Sequence, residues 1–569
     1  MFKFLQRILM LLAFLCLTQI CTHICEARLT DAELAEKARQ MEQYFREMMK
    51  QTKVPGMAFC VSRSNKVIHT QAFGYTTIPS NSPQKVDTKT LFPISSVTKN
   101  FTAILVGALV DAGKLVLDDK VRKYVPDFFV KDEELSNEFT ILDLISQRSG
   151  YPHFSADSLL KAGYDKKRIL DTFKYLKHNS RSFRKEYGYQ NIIYGIVGQV
   201  IENATGERYE DLVQEYIYGP MGMENASAIR LSAESSKFGY FKYLLSRFSH
   251  DKKKLGFFKA VTNLIVLTFR HKSKKVTESH ARSMEEIFMQ PENGLYQRFV
   301  ATSGVSLSAE DFAKWMEMLA NKGTYMGKQI VSQKVFEKLT SQHVKIDNIK
   351  PEDITFVKER YSRSNFWYGA GMFSAEYNDN GKNGRRILFH MGGIYGVTAF
   401  FCVVPEEDIA AGVACNMGGV ALTLCAEYLI HQFLDLCLGF SKIDWIKREV
   451  DRKENFLKKH ERFKRQMICK NLTPMERPDK YVGKYTCEIY GDVEVTEEDG
   501  ELYISNGLRK AKLRHENGGI FSFLSKDMVE SYGDTDEYAS FFQDSYGSIN
   551  SLYLSCFDEN STKFKKVTD

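Results

Sequence analysis

A serine and a lysine three residues apart are the first features of this chain that could carry out chemistry. Ser96 and Lys99 stand in the run Phe92-Pro-Ile-Ser-Ser-Val-Thr-Lys99, where an apolar helical pattern begins. Side chains at this spacing lie on one helix face, about one turn apart. A lysine amine at a partly desolvated helix start loses its proton more easily and helps activate a serine oxygen. Ser-x-x-Lys is common by chance, however, and a helix-capping serine would have the same spacing.

Two further short motifs would complete a hydrolytic site. Tyr187-Gly-Tyr189-Gln190-Asn191 precedes an apolar helical pattern, and His390-Met391-Gly392-Gly393 follows a strand-like run. A serine hydrolase needs a nucleophile, proton carriers and donors to an oxyanion. Ser96, Lys99, Tyr189 and His390, with the backbone N–H of Gly393, would supply all of these. Taken singly, each motif is more typical of structure: a core aromatic, a buried histidine and a glycine turn.

The elements that would position these residues follow an α+β pattern. Two strands are predicted early in the chain, at Gly56–Val61 and Val67–Phe73. Strand-like runs return late, at Ile387–Phe389, Thr398–Val404 and Ile409–Cys415. Between the two sets, apolar spacing predicts a helix within Leu91–Leu117, which follows the Pro near the start of this segment and ends near Gly113. Further helices are predicted at Ile141–Ile145, Ile192–Ile201 and Ala309–Asn321. This order predicts an α+β domain whose sheet is closed by its first and last strands.

The last part of the chain predicts a separate all-β domain. Trp445–Met467 is a highly charged amphipathic helical pattern, and the pattern changes after Pro474. Turn residues such as Asp499-Gly500 then separate short strands at Tyr481–Glu488, Val493–Thr496, Leu502–Ser505, Lys510–Arg514, Ile520–Leu524 and Ile549–Leu554. A succession of short strands of this kind predicts a small barrel or sandwich.

Beyond these motifs, the chain resembles the serine β-lactamase and penicillin-binding-protein-like family, on its class C β-lactamase and esterase side. The resemblance covers roughly Val54 to Gly419 and rests on landmarks in the family's order: Val54-Pro-Gly56, Gly74-Tyr75, Thr90-Leu-Phe92, Ser95–Lys99, Leu109-Val-Asp-Ala-Gly-Lys-Leu115, Asp118-Asp119, Ser149-Gly150, Gly219-Pro-Met-Gly-Met223 and Ser308-Ala-Glu-Asp311. It implies a β-lactamase/transpeptidase-like domain, with an antiparallel sheet flanked by helices plus a helical subdomain, and hydrolysis through an acyl-enzyme.

Carried over by motif, the resemblance assigns a role to each candidate residue. It implies that Ser96 is the acylated nucleophile and that Lys99 is its partner on the helix. Tyr189 would exchange the proton between Ser96, leaving group and water. Asn191 would contact the substrate amide and help hold Lys99. The backbone N–H groups of Ser96 and Gly393 would form the oxyanion hole.

The motif at His390 departs from the β-lactamase pattern. His390 and Met391 stand where β-lactamases usually carry the Lys and Thr of Lys-Thr-Gly, with Gly392 as the shared glycine. In β-lactamases that Lys and Thr help grip a substrate carboxylate, and a largely neutral histidine gives a weaker, pH-dependent grip. With His390 and Gly392 as substrate contacts, we expect an ester or peptide-like amide substrate, without efficient β-lactam hydrolysis.

The expected domain plan has four parts. Residues 1–27 would be a signal peptide and 28–440 the hydrolase domain, with a basic, apolar insertion at about 230–297. Residues 441–474 would be a charged helical linker and 475–569 the β domain. This last domain resembles the small lipocalin-like domain of some family members through Tyr481-Val-Gly-Lys-Tyr485, Tyr490-Gly491 and Gly500-Glu-Leu502. The sequence has neither a zinc-helix histidine pair nor a phosphate-binding glycine loop, so no metal or cofactor is expected.

The first residues have the order of a secretory signal peptide. Lys3 and Arg7 precede an apolar run, Ile8 to Leu17, and Ala27 offers a small residue for cleavage. We therefore expect a secreted or secretory-lumen protein, with a signal-anchored membrane protein as the alternative. In such a compartment Cys487 and Cys556 would form a disulfide, or the cysteines would be buried thiols. A glycan on the Asn100 sequon would crowd the site, so we expect none there.

The net charge of the chain is concentrated in one segment. The 569 residues include 78 Lys+Arg and 71 Asp+Glu, which gives a net charge of +7. Lys242–Lys275 alone holds ten basic residues and one acidic residue, around an apolar stretch, Leu255–Phe269. This segment would contact an anionic membrane surface or cover a lipid-facing cleft, or else pack its apolar face on the enzyme with its lysines in water. Nucleic acid is not an expected partner, because no recognition motif accompanies the charge.

Two classes of function are consistent with the sequence. The first is a secreted serine hydrolase that cleaves a small ester or peptide-like amide through an acyl-enzyme. The second is a catalytically weak binding or assembly protein on the same fold. An intact set of Ser96, Lys99, Tyr189 and Asn191 favours the first. The oligomeric state is left open.

Overall fold

The computed structural model describes most of the chain. It covers residues 28–77, 84–228, 280–282, 287–289, 299–348, 359–394, 396–418, 424–467, 473–528, 536–557 and 563–567. The expected signal peptide and the basic segment Lys242–Lys275 lie outside these ranges, so secretion and membrane contact stay predictions. Within the described ranges, no helix is both long enough and apolar enough to span a bilayer.

An antiparallel sheet of eight strands forms the centre of the larger domain. The strands are β1 (Gly56–Arg63), β2 (Lys66–Gly74), β3 (Val344–Lys345), β4 (Tyr361–Tyr368), β5 (Phe373–Asp379), β6 (Lys382–Ile394), β7 (Val397–Val404) and β8 (Ile409–Cys415). Their order in space is β2-β1-β8-β7-β6-β5-β4-β3. Because β1 pairs with β8, with Met57 opposite Cys415, the first and last strands close the sheet, which confirms the α+β prediction.

Helices cover both faces of this sheet. The longer ones are α1 (Asp31–Thr52), α2 (Thr98–Asp111), α3 (Asn191–Thr205), α4 (Ala309–Ala320), α5 (Cys425–Leu438) and α6 (Trp445–Met467). Shorter helices lie at Glu133–Glu138, Ile141–Ile145, Asp157–Lys161, Lys166–Thr172, Tyr209–Val213, Gly219–Met221, Val300–Ser303 and Gln333–Thr340. Along β1, Ala58 and Cys60 face one core cluster, whereas Met57 and Phe59 face the other. This alternation follows from the two-residue period of a strand.

Helix α1, which the sequence did not predict, packs on one face together with α5. A capping box between Thr30 and Glu33 begins it. Its buried residues recur at helical spacing, and Phe45 among them stacks on Phe73 of β2 with ring centroids 4.7 Å apart. The N-terminal helix therefore belongs to the core of the larger domain.

Helix α2 is buried on nearly all sides against the other face. Phe101 stacks on Trp315 of α4, with ring centroids 3.6 Å apart. Asn100 is fully buried, and its side-chain oxygen accepts a hydrogen bond from the Trp315 indole at 3.0 Å. A glycan has no room there, which supports the expectation that Asn100 is unmodified. The helix ends at Asp111, close to the predicted end near Gly113. It begins only at Thr98, because Phe92–Pro93 form a short strand and Ser95–Val97 a turn of 3-10 helix.

The C-terminal domain is a closed antiparallel barrel. Its strands are β9 (Gly483–Cys487), β10 (Gly491–Glu498), β11 (Glu501–Ser505), β12 (Lys510–Asn517), β13 (Ile520–Leu524), β14 (Asp536–Gln543), β15 (Ile549–Leu554) and β16 (Lys563–Lys566). A short helix, Ser525–Met528, follows β13 in the chain. The inward side chains, such as Tyr485, Val495 and Ile504, are fully buried. The barrel prediction is confirmed, although β14 and β16 were not predicted.

The predicted disulfide of the barrel is not formed. Cys487 and Cys556 both carry thiols, as do the other cysteines in the described ranges. The Cys487 sulfur instead accepts a hydrogen bond from the Tyr490 backbone N–H at 3.2 Å. The alternative expectation of buried thiols therefore describes the structure.

Candidate active site

Ser96 lies in a tight turn between a short strand and helix α2. Phe92–Pro93 pairs with Ser306–Leu307, and Ser95–Val97 then forms one turn of 3-10 helix. The buried Ser95 has a left-handed φ of 48°. Non-glycine residues in this region are strained, and such strain clusters at functional sites. The turn leaves Ser96 partly exposed at the start of α2.

Lys99, one helical turn later, is fully buried behind Ser96. Its Nζ lies 2.9 Å from Ser96 Oγ and 2.8 Å from Asn191 Oδ1. A third oxygen, the Thr302 carbonyl, lies 3.4 Å away. Burial lowers the pKa of Lys99 to about 7, and the negative charge of Asp157 opposes this shift. A large fraction of the amine is therefore neutral near pH 7.

The three contacts of Lys99 determine where a neutral amine directs its lone pair. The Asn191 side-chain oxygen and the Thr302 carbonyl can only accept hydrogen bonds. They therefore take the two N–H groups of the neutral amine. The lone pair is left for Ser96, whose hydroxyl can donate to it. This arrangement allows Lys99 to take the proton of the serine.

Tyr189 lies beside both Ser96 and Lys99. Burial raises the pKa of its phenol, and the neighbouring Ser96 hydroxyl opposes this shift. The Lys99 amine lies 4.8 Å from the centre of the ring. The Tyr189 backbone N–H donates to His153 Nδ1 at 3.0 Å, and burial lowers the pKa of His153 to about 4. Tyr189 is therefore a neutral phenol at physiological pH, able to donate one hydrogen bond and to accept another.

Asn191, the first residue of α3, connects Lys99 to an acidic residue. Its Oδ1 accepts from Lys99, and its Nδ2 donates to Asp157 Oδ2 at 2.5 Å. The Asn191 carbonyl accepts from the Thr302 hydroxyl at 2.9 Å. Asp157 and Thr302 were not singled out from the sequence, because neither has a motif spacing to Ser96.

Strand β6 passes directly beside the serine turn. A Cβ added to Gly392 would lie 2.1 Å from the Ile94 carbonyl and 3.2 Å from the Ser96 backbone nitrogen. Only glycine allows this approach, which brings the next residue, the exposed Gly393, to the edge of the site. The two backbone N–H groups predicted as oxyanion donors therefore belong to segments in close contact.

His390 is placed behind Tyr189 and fully buried. Its Nδ1 donates to the Met391 carbonyl at 2.6 Å, and its Nε2 lies 3.1 Å from the Tyr368 hydroxyl. Burial, with a smaller effect of the Lys99 charge, lowers the pKa of His390 to about 3. The histidine is thus neutral throughout the physiological pH range. Its charge therefore cannot give the expected pH-dependent binding of a substrate carboxylate in that range.

The structure thus brings Ser96, Lys99, Tyr189 and Asn191 into contact, with Gly392 and Gly393 along one edge. No set of three or more His, Cys, Asp or Glu side chains within the described ranges is arranged to hold a metal ion.

Comparison with known proteins decides the family. The Beta-lactamase family model matches residues 41–428, more than half of the chain. The chain belongs to the Beta-lactamase family. Together with a hydrolase among the relatives, this match supports a hydrolase of the β-lactamase fold.

Two relatives of this Beta-lactamase family member match most of its length at low sequence identity. An unguisins hydrolase, ungD', of Aspergillus campestris (strain IBT 28561) is 23% identical over 464 residues, which are 78% of this chain and 75% of that protein. Protein flp of Staphylococcus aureus (strain MW2) is 20% identical over 404 residues, 70% of this chain and 67% of that one.

Solved structures show the same fold. The octameric penicillin-binding protein homologue from Pyrococcus abyssi matches with a TM-score of 0.53 at 20% identity, over 93% of this chain and all of that one. SurE matches with a TM-score of 0.51 at 16% identity, over 94% of this chain and all of that one. At these identities the likeness concerns the fold alone.

Proposed function

We propose that this protein is a secretory-pathway serine hydrolase that cleaves an ester or a peptide-like amide through an acyl-enzyme on Ser96. The observation that carries the proposal is the environment of Lys99. A buried amine with a pKa of about 7 has its lone pair directed at the Ser96 hydroxyl by two acceptor oxygens. Such an amine is a general base for a serine nucleophile.

The chemistry proceeds in two halves. Ser96 Oγ attacks the carbonyl carbon as its proton passes to neutral Lys99, and the backbone N–H groups of Ser96 and Gly393 stabilise the oxyanion. Tyr189 passes a proton to the leaving alcohol or amine as the bond between that group and the carbonyl carbon breaks, and the proton held by Lys99 then restores the Tyr189 phenol, so that both residues are neutral in the acyl-enzyme. Water then attacks the carbonyl carbon of the acyl-enzyme as its proton passes through Tyr189 to Lys99. When the bond between Ser96 Oγ and that carbon breaks, Lys99 returns the proton to Ser96, and the acid is released.

The substrate class follows from His390. A neutral, buried histidine whose nitrogens are both engaged offers no cation to a substrate carboxylate. Substrates that depend on such a cation, as β-lactams do in enzymes with the Lys-Thr-Gly motif, are therefore poor candidates. The names of the relatives agree with hydrolysis, since one of them is an unguisins hydrolase.

Active-site labelling tests this proposal. We expect a fluorophosphonate probe to add its phosphonyl group to the wild-type protein, and Ser96→Ala to lose both this adduct and ester hydrolysis, by on the order of 10³-fold or more. Ser341→Ala, which removes a hydroxyl bonded only to its own helix end and to His343, is the matched control. Absence of Ser96-dependent labelling and hydrolysis in the wild-type protein would instead support a binding or assembly role.

A further inference from the structure

One wall of the site is a segment joined to Tyr189 and its neighbours by a series of hydrogen bonds. The Gln147 side chain donates to the Gln190 carbonyl at 3.2 Å and accepts from the Gln190 backbone N–H at 2.8 Å. Further along, the Phe154 N–H donates to the Tyr189 carbonyl at 2.8 Å. The segment from Gln147 to Asp157 is thus fixed relative to the residues that carry Tyr189 and Asn191.

Asp157, at the end of this segment, determines how the Asn191 amide is oriented. An ionised carboxylate only accepts hydrogen bonds, so the amide NH2 group must face Asp157 Oδ2, 2.5 Å away. The amide oxygen is then turned toward Lys99. With the amide reversed, its NH2 group would donate to the lysine lone pair, and that lone pair would no longer be available to Ser96.

The barrel holds the short helix that begins at Asp157. Tyr490, in the turn between β9 and β10, places its hydroxyl 2.5 Å from Ser158 Oγ. The Tyr490 carbonyl accepts from the Tyr164 hydroxyl at 2.5 Å and from Arg168 at 3.1 Å. Tyr490 is itself 1% exposed and stacks on Phe557, with ring centroids 4.8 Å apart. The barrel therefore contacts the Asp157–Lys161 helix at its first turn and the chain just beyond its end.

We propose that Asp157 is a positioning residue that keeps the Asn191 amide oxygen toward Lys99, and that Tyr490 of the barrel holds the helix on which Asp157 stands. This inference rests on the proposed serine hydrolase function. It gives the C-terminal barrel a part in catalysis without contact with the substrate. A change in the barrel would then reach Ser96 through Ser158, Asp157, Asn191 and Lys99.

The charged and titratable groups around Lys99 are few. Asp157 supplies a negative charge, and the rings of Tyr189 and Tyr194 lie 4.8 and 5.6 Å from the amine. His390 is neutral near pH 7. The remaining contacts of the amine are the neutral oxygens of Ser96, Asn191 and Thr302. Removal of the Asp157 charge should therefore lower the pKa of Lys99 further.

Asp157→Asn tests the first half of the proposal on the full-length protein. It keeps the side-chain shape, removes the charge and allows the Asn191 amide to reverse. With a short ester substrate, we expect kcat to fall about tenfold or more with KM little changed, and the acidic limb of kcat/KM to move to lower pH. Asp171→Asn, an exposed carboxylate paired with Lys167, is the matched control and should leave both unchanged. Asp157→Glu, which retains the charge, should keep the acidic limb in place.

The outcomes separate this inference from the proposed function. If wild-type protein is labelled and active but Asp157→Asn keeps the wild-type kcat and pH profile, Asp157 does not position Asn191. If Asp157→Asn and Asp157→Glu lose activity equally with no shift of the limb, the role is structural and the proposal is wrong. If the wild-type protein shows no Ser96-dependent activity, it is the proposed function that fails.

Tyr490→Phe tests the contribution of the barrel. It retains the stacked ring and removes the hydroxyl, which contacts Ser158 and also donates to the Phe557 carbonyl inside the barrel. Tyr485→Phe, which removes a hydroxyl bonded only inside the barrel, controls for the loss of the internal contact. We expect Tyr490→Phe to lower kcat severalfold and Tyr485→Phe to leave it unchanged. Ser158→Ala should give the same loss, and the double variant no further loss. Equal kcat for Tyr490→Phe and Tyr485→Phe, or additive losses in the double variant, would overturn the barrel's role.

Discussion

At the scale of single residues, the protonation of Lys99 governs when the site can work. The amine must be neutral to take the Ser96 proton, and burial lowers its pKa to about 7. Activity should therefore rise with pH through about 7, since the charged form predominates below that value. A profile of kcat/KM against pH, which reports the free enzyme, measures this limb. The Lys99→Arg variant keeps a charged side chain and should be inactive at every pH. A wild-type profile whose acidic limb lies near the ordinary pKa of lysine would contradict the role of Lys99 as the general base.

His390 presents the reverse case, a residue whose charge the site does not use. It is buried, and its pKa is about 3, so no limb of the profile between pH 5 and 9 should belong to it. His390→Lys would place a second cation beside Lys99 without a carboxylate partner. We expect a loss of about 3 kcal/mol in the free energy of unfolding, by urea denaturation, and no gain in penicillin hydrolysis. Met391→Thr, which introduces the threonine of the β-lactamase motif without adding a charge, is the control. Faster penicillin hydrolysis by His390→Lys would show that a cation at this position can serve the substrate, contrary to the prediction.

At the scale of elements, the sequence predicts what depends on local pattern. The runs at Thr398–Val404 and Ile409–Cys415 are apolar and uniform. The second is a strand with these bounds, and the first is a strand that begins one residue earlier, at Val397. The barrel strands β14 and β16 were missed, since Asp536, Glu537 and the lysines of Lys563–Lys566 hide their alternation. Helix α1 was not predicted, although its apolar residues recur at helical spacing.

In the candidate site, too, the sequence predicts the residues that belong to local motifs and misses the contacts between distant parts of the chain. The short sequence motifs identify Ser96, Lys99, Tyr189 and Asn191, because each of these residues has a fixed position within its motif. Asp157 acts through a contact 34 residues away in sequence, which no local pattern encodes. The burial of His390 is equally invisible in sequence, because it depends on Tyr368 of the neighbouring part of the sheet.

The close approach of β6 to the serine turn can be tested with two glycines of that strand. In Gly392→Ala the new methyl would meet the Ile94 carbonyl at 2.1 Å, so the strand must move away from Ser96. We expect kcat to fall about 10²-fold, as for a displacement of about 1 Å at a reacting centre. Gly384→Ala is the matched control, because its methyl meets only the Glu376 side chain at an exposed position. Equal kcat values for the two variants would show that the approach is not needed.

At the scale of the whole molecule, a buried polar network joins the sheet to helices α5 and α6. Asp435 of α5 accepts hydrogen bonds from Arg360 at 2.9 and 3.0 Å, from Tyr377 of β5 at 2.8 Å and from Trp445 of α6 at 2.9 Å. Arg360 is fully buried and also pairs with Asp379 at 2.8 Å. These elements meet on the sheet face opposite α2, so the network joins the sheet to the two helices that follow it in the chain.

Removal of Asp435 should therefore weaken the whole domain and leave the chemistry of the site intact. In Asp435→Ala the Arg360 guanidinium stays buried with one of its two carboxylate partners lost, a change that destabilises by about 3–5 kcal/mol. Urea denaturation measures this loss, while Ser96 labelling of the folded fraction should match that of the wild type. Asp451→Ala, an exposed carboxylate paired with Lys447, should change stability by less than about 0.5 kcal/mol. Because the penalty arises from a buried cation that has lost one of its two carboxylate partners, Arg360→Met combined with Asp435→Leu should recover much of it. A double variant as unstable as Asp435→Ala would show that the helices depend on the polar contacts themselves.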